Sequence, residues 1–269
     1  MEKLFNHILI PFDNSASARV ALRQAVNLSQ KFGSKLSMIY VESGKGKDAI
    51  PGINEVIATV KKNTFKDIEL IVKKGKMHKE VARTADEIGA DLIAMGSHGK
   101  SGFEEFWIGS NAYRVVNSTE IPVLTMQEKF GKRAFKNIIV PIDDSKDTRQ
   151  KVPMVAKLAK AFYADVKLFV TSKYGDADIR QKARISGNHS RDLLKKEGIK
   201  SQVIEKFGGN TADESIEFAR QNDGDLIIMM SESSSGFFMG SNAQRVVNHS
   251  DIPVLTLHPK DTKVSVVGY

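Results

Sequence analysis

The chain has 269 residues, of which 41% are hydrophobic, 27% charged and 7% aromatic, with no cysteine. At about 100–200 residues per domain that is one large globular domain or two modest ones, and the missing cysteines exclude a disulfide scaffold, a cysteine nucleophile and every thiolate metal site. The net charge of +8 divides into +3 over residues 1–130 and +5 over 131–269; spread so thinly, with no recognition motif beside its densest cluster (Lys73, Lys74, Lys76, Lys79), it reads as a solvated basic surface rather than a nucleic-acid interface.

In chain order, His7–Phe12 is a short apolar run ending in Asp13-Asn14-Ser15, which suits a buried parallel strand. Ser17–Phe32 carries Val20, Ala21, Ala25 and Leu28 at helical spacing, and Gly33 closes it. Lys35–Val41 reads as the second strand and Gly44–Gly52 as a polar, Gly-rich loop. A helix follows over Asn54–Lys66, then a strand over Ile68–Lys73. A third helix over His78–Ile88 ends at Gly89. Asp91–Met95 is the fourth strand, Ser110–Asn117 the fourth helix and Ile121–Met126 the fifth strand.

The order then repeats. Gly109–Met126 (GSNAYRVVNSTEIPVLTM) and Gly240–Leu257 (GSNAQRVVNHSDIPVLTL) are identical at 13 of 18 positions, 131 residues apart. ILIPFDNS at Ile8–Ser15 parallels IIVPIDDS at Ile138–Ser145, and DLIAM at Asp91–Met95 parallels DLIIM at Asp225–Met229. A period this long makes each copy a domain, not a solenoid repeat. The polar and basic stretch Gln127–Phe135 separates units at 1–130 and 134–260, and the second unit has a longer helix region over Ala177–Glu197. Strands alternating with helices imply crossovers and a parallel sheet covered on both faces. The expected fold is therefore two tandem doubly wound (Rossmann-like) α/β domains of five parallel strands each.

No apolar run approaches the roughly 20 residues of a membrane-spanning helix. Met1–Ser15 has one lysine and no long apolar stretch ending in small residues, so no signal peptide is expected. With the lack of cysteine, a cytoplasmic protein is the expectation.

In an open parallel sheet, ligands bind beyond the carboxyl ends of the strands, where strand order reverses. The segments to inspect follow strands one and four. The first is Pro11-Phe12-Asp13-Asn14-Ser15. The second is Gly96-Ser97-His98-Gly99-Lys100-Ser101-Gly102, with Gly109-Ser110 opening helix four. Glycines let backbone N–H groups approach an anion, and the helix start adds unpaired N–H groups and the positive end of its dipole. Ser110 adds a hydroxyl and Lys100 a charge. The same residues also serve a plain turn and a helix cap. Asp13 is fit for two roles, accepting from a ribose hydroxyl or an exocyclic amine, or capping helix one.

Gly96-x2-Gly99-x9-Gly109-Ser110 is similar to the nucleotide-binding signature of the universal stress protein family, G-x2-G-x9-G-[S/T]. GSHGKSG, ILIPFDNS and IPVLTM also resemble that family, in the right order and over nearly the whole chain taken twice. The resemblance implies strand order 3-2-1-4-5. It implies adenine near Asp13 and the backbone of Val41, and phosphates at Gly96, Gly99, Gly109 and Ser110, with Pro11 and Ser15 facing the same crevice. ATP is the implied ligand, with Mg carried in alongside it and no protein-held metal. In the family, strand five of one domain pairs with strand five of another. Here Ile121–Met126 and Ile252–Leu257 share a chain, which implies an intramolecular pseudo-dimer, hiding two strand edges. A homodimer of the tandem chain is a weaker expectation, and Val264–Val267 is an extra strand or a loose tail.

The second copy departs from the pattern. Met230 stands opposite Gly96 and Ser233 opposite Gly99, and three residues are missing before Gly240-Ser241. This copy is not expected to hold ATP in the family manner; its polar run Ser231–Ser235 reads as a loop or a modification site. None of the six histidines has zinc-site spacing, and no P-loop or nucleophile-elbow motif occurs. No general base and nucleophile pair stands out, so a non-enzyme is expected, with at most slow ATP hydrolysis. The leading expectation is an adenine-nucleotide-binding stress sensor. The alternatives are a slow ATPase and a non-nucleotide or chaperone-like module.

Overall fold

A computed structural model of the chain describes residues 3–42, 49–97, 110–131, 134–145, 147–172, 176–231 and 241–259. The first half runs β1 (His7–Pro11), α1 (Ala16–Phe32), β2 (Lys35–Glu42), α2 (Ile50–Thr64), β3 (Ile68–Lys74), α3 (Met77–Glu87), β4 (Leu92–Gly96), α4 (Ser110–Val116) and β5 (Val123–Met126). The second half repeats it with β6 (Asn137–Ile142), α5 (Val152–Phe162), β7 (Asp165–Ser172), α6 (Ala177–Lys196), β8 (Ser201–Phe207), α7 (Thr211–Gln221), β9 (Leu226–Met230), α8 (Ser241–His249) and β10 (Val254–Leu257).

Each half is the expected doubly wound α/β unit with five parallel strands. The hydrogen-bonded order across the molecule is β3-β2-β1-β4-β5-β10-β9-β6-β7-β8, so the first half reads 3-2-1-4-5 and the second the same in reverse. β5 and β10 are antiparallel, with Leu124 opposite Leu255, and join all ten strands into one sheet.

The central strands are apolar on both sides because helices cover both. In β1 every residue is buried. Ile8 and Ile10 enter one core with Ala18, Ala21, Leu22 and Ala25 of α1. Leu9 points the other way, into a second core with Val81 of α3 and Val115 of α4. Rings carry the first core across the seam between halves. Phe5 packs edge-on to Phe32, Phe32 to Phe162 and Phe162 to Phe135, with centroids 5.3–6.0 Å apart.

Each half is also clasped by an aspartate at the foot of its fourth strand. The Asp91 carboxylate accepts from the backbone N–H of Asn6 and His7, and Asp225 from those of Lys136 and Asn137. Two charge-assisted bonds to one carboxylate tie the strand starts together.

Several boundaries differ from expectation, three of them at element starts with a nameable setting. α2 begins at Ile50, not Asn54, because Pro51 occupies the first turn, where its missing N–H costs nothing. β5 begins at Val123, since Ile121 donates instead to the Thr119 hydroxyl. α5 begins at Val152, six residues later than α1 in the aligned repeat.

Candidate functional site

The crevice at the top of β1 opens because a proline stands there. β1 pairs with β4 only at Ile8↔Leu92 and Leu9↔Ile93, whereas its pairing with β2 continues to Pro11↔Ile39. Phe12 N–H donates to Ile39 O at 2.9 Å. By strand alternation the N–H at position 11 would face β4, and proline has none. Nothing zips β1 to β4 beyond Leu9, and the strands part at the point where the order reverses. Pro141 does the same in the second half, where β6 pairs with β9 only at Ile138 and Ile139.

Past the proline the chain turns on side-chain caps. Asp13 Oδ1 accepts from the Ser15 N–H at 2.9 Å. Ser15 is the N-cap of α1, its hydroxyl accepting from the Ala18 N–H at 3.3 Å. Asn14 between them is left-handed, φ 64°, a region Asn tolerates better than most residues. Its Oδ1 is buried without a partner among the described residues. Ser15 therefore performs the capping role, and Asp13 shapes the turn that leads into it.

Gly96 ends β4 against the start of α1. A Cβ there would lie 2.4 Å from the Ser17 hydroxyl oxygen and 2.8 Å from both the Ala18 nitrogen and the Ser17 carbonyl carbon. Its φ is not left-handed, so glycine is required for space, not for backbone freedom. The contact brings the first turn of α1, with its positive dipole end, against the mouth of the crevice. Val41 is next to last in β2, opposite Lys73, on the periphery of the second core.

Pro11, Asp13, Ser15 and Gly96 are thus gathered around the parting of β1 and β4, with Val41 one strand away. Ser110 opens α4. Gly99 and Gly109 lie outside the described residues, as do His98, Lys100, Ser101 and Gly102. Glu232–Ser235 of the second loop and Val264–Val267 lie outside them too.

The second crevice is built differently. Asp143 keeps the local turn, accepting from the N–H and hydroxyl of Ser145. In place of the first turns of α1, residues 147–151 form irregular turns. There the Thr148 hydroxyl accepts from the Asp143 N–H and from Nζ of the buried Lys151. At the Gly96 position stands Met230, 6% exposed. Behind it, Ser231 meets His258 Nδ1 at 2.9 Å. Burial pushes the His258 imidazole pKa down to about 4, so the ring is neutral.

Sequence reasoning passed over two things that shape these crevices. One is the proline's lost N–H, legible in Ile-Pro-Phe once its side of the strand is known. The other is the space that Gly96 leaves for α1, which no single-sequence pattern records. Among the described residues no group of three His, Asp or Glu side chains is placed to hold a metal. His7 is committed to Ser37 Oγ and Ile88 O. His78 is held below its usual pKa by desolvation first and then by Arg114, Lys79 and Lys76. No helix among the described residues is long and apolar enough to cross a membrane.

Known proteins resemble the chain over both halves. The model of the universal stress protein family matches residues 4–127 and again 134–258. A universal stress protein of Methanocaldococcus jannaschii is 28% identical over 144 residues, covering 47% of this chain and 85% of its own. One from Bacillus subtilis is 28% identical over 148 residues, covering 46% of this chain and 100% of its own. The crystal structure of a universal stress protein from Archaeoglobus fulgidus superposes with a TM-score of 0.75 at 20% identity, covering 94% of this chain and 98% of that one.

Proposed function

Because the chain belongs to the universal stress protein family, matched over both halves, we propose that it is an adenine-nucleotide-binding regulatory protein. ATP is held in the first-half crevice alone. The observation that carries this reading is the joint placement of Pro11 and Gly96 at the switch point. One keeps the crevice open and the other seats a helix N-terminus beside it. In this reading Asp13 and the backbone of Val41 face the adenosine end. Gly96, Gly99, Gly109 and Ser110 offer N–H and hydroxyl donors to the phosphates, and Ser15 lines the same wall. Mg arrives with the phosphates, and no protein carboxylate or histidine is assigned to it. No base is assigned to activate a water, so the protein binds and reports rather than turning ATP over.

The two units, 1–130 and 134–260, act as a pseudo-dimer within one chain. The antiparallel pairing of β5 with β10 supports this. The second unit, with Met230 and a shortened loop, serves as a structural partner.

Isothermal titration of the full chain with ATP and Mg tests the assignment. One site per chain is expected, and Gly109→Val should weaken it about tenfold or more, as a side chain is forced among backbone donors. Two equivalent sites would refute the asymmetry, and no heat at saturating ATP would refute the nucleotide reading itself.

A further inference from the structure

The outermost strand of the first half has an open edge. β3 pairs with β2 from Ile68 to Lys74 and ends the sheet. Nothing among the described residues pairs with its other side. Such an edge is a template for another strand, and proteins usually blunt it with charge. Glu69, Lys73 and Lys74 would fit that purpose, but Leu70, Ile71 and Val72 between them do not.

The strand reads Ile68-Glu69-Leu70-Ile71-Val72-Lys73-Lys74, and its five central residues, Glu69–Lys73, are complementary to themselves. Two copies laid antiparallel about Ile71 place Glu69 opposite Lys73 of the second copy, and Lys73 opposite its Glu69. The same register sets Leu70 opposite Val72, twice. Val72 is 39% exposed, among the few large apolar side chains left open to water, and a neighbouring strand would cover it.

The charges already have suitable neighbours. Lys35 Nζ meets Glu69 at 2.7 Å and Lys73 Nζ meets Glu87 at 3.3 Å. Joining the copies extends these pairs into a row of alternating sign, Lys35–Glu69–Lys73–Glu87, crossing the junction at its middle link and occurring twice by symmetry. Opposite charges directly across a strand pair stabilise it, and like charges destabilise it.

The other end of the sheet lacks this property. β8 reads Ser201-Gln202-Val203-Ile204-Glu205-Lys206-Phe207. Antiparallel pairing about its centre, Ile204, sets Val203 against Glu205 and Gln202 against Lys206, with no charge pair.

We propose that two copies of this chain associate through β3, edge to edge and antiparallel, in a closed twofold dimer that leaves both β8 strands at its ends. A twofold contact consumes the same patch on both copies and does not propagate into a fibre. A seven-residue strand with its flanking side chains makes a small interface of the weak, transient class.

Sedimentation of the full chain from about 1 to 200 μM tests this. The expected result is a concentration-dependent rise from 29.7 kDa toward twice that mass. Glu69→Lys, which sets lysine against lysine at two places, should raise the dissociation constant at least tenfold. Adding Lys73→Glu to it should restore dimerisation, although both intramolecular pairs are then lost. Gln202→Lys, at an exposed position of the β8 edge, should change nothing. A chain that stays monomeric throughout, a Glu69→Lys variant that dimerises as before, or a folded double variant that is not rescued would each overturn the proposal. None of these outcomes depends on whether nucleotide binds.

Discussion

The two halves are repeats of one another that differ where α1 and α5 begin. In the first half Gly96 leaves room for Ser17 and Ala18, and α1 starts at Ala16 with Ser15 as its cap. In the second half Met230 fills the equivalent place and α5 starts at Val152, with Lys151 at its N-cap position making no side-chain cap. Farther along, the helices converge again: Leu22, Ala25, Leu28 and Phe32 match Val152, Val155, Leu158 and Phe162, all buried. The core-facing stretch of the helix was kept, and the turns facing the crevice were not. The pair sets a strand-end glycine beside an early helix start and a strand-end methionine beside a late one.

Moving Met230's side chain into the first half puts that lesson under the greatest strain. Gly96→Met drives a Cβ into backbone atoms of α1 and should cost about 3 kcal/mol or more of stability in denaturant melts. It should also abolish ATP binding. A variant as stable as the parent would break the comparison.

A smaller effect is expected at His258, whose counterpart in the first half is Gln127. Folding holds the His258 ring neutral, with its pKa pushed down to about 4, while the unfolded chain takes up its proton near the ordinary value of about 6.5. The unfolded state therefore binds more protons between those values. Stability should fall as pH drops from about 6.5 to about 4, by about 2 kcal/mol once the ring's partial exposure is allowed for, and this group should add no further loss below that. Thermal melts of the parent and His258→Gln across that window check the sign. The variant's curve should be flatter on the acid side.

The smallest expected effect lies at the far ends of the same two helices. α1 closes on Gly33 at φ 72°, and α5 on Tyr163 at φ 51° with its ring exposed. Left-handed backbone suits glycine and strains tyrosine. Tyr163→Gly should gain about 1 kcal/mol, and Gly33→Ala should lose about as much. A loss at both positions would show that the caps are not equivalent.

Much of the fold was legible in the residues, and the reason is local. Apolar runs such as Ile8–Phe12 and Leu226–Met230 carry no polar alternation, so they read as strands covered on both sides. Repetition made each assignment count twice. The start of α2 was misread because Gly44–Gly52 resembles a loop, although Pro51 marks a first helical turn. The late start of α5 was missed although Pro153 marks its first turn in the same way. In the candidate site the turn chemistry of Asp13 and Ser15 was readable, but the closeness of Gly96 to Ser17 was not, because it is a contact between elements. Gly99 and Gly109 rest on the family signature alone.

The antiparallel splice between β5 and β10 has a geometric consequence of its own. Strands that point one way in the first half point the opposite way in the second, so their carboxyl ends emerge on opposite rims of the shared sheet. In the proposed assignment a receptor for the nucleotide-bearing crevice meets a single rim, and the second crevice opens on the opposite one.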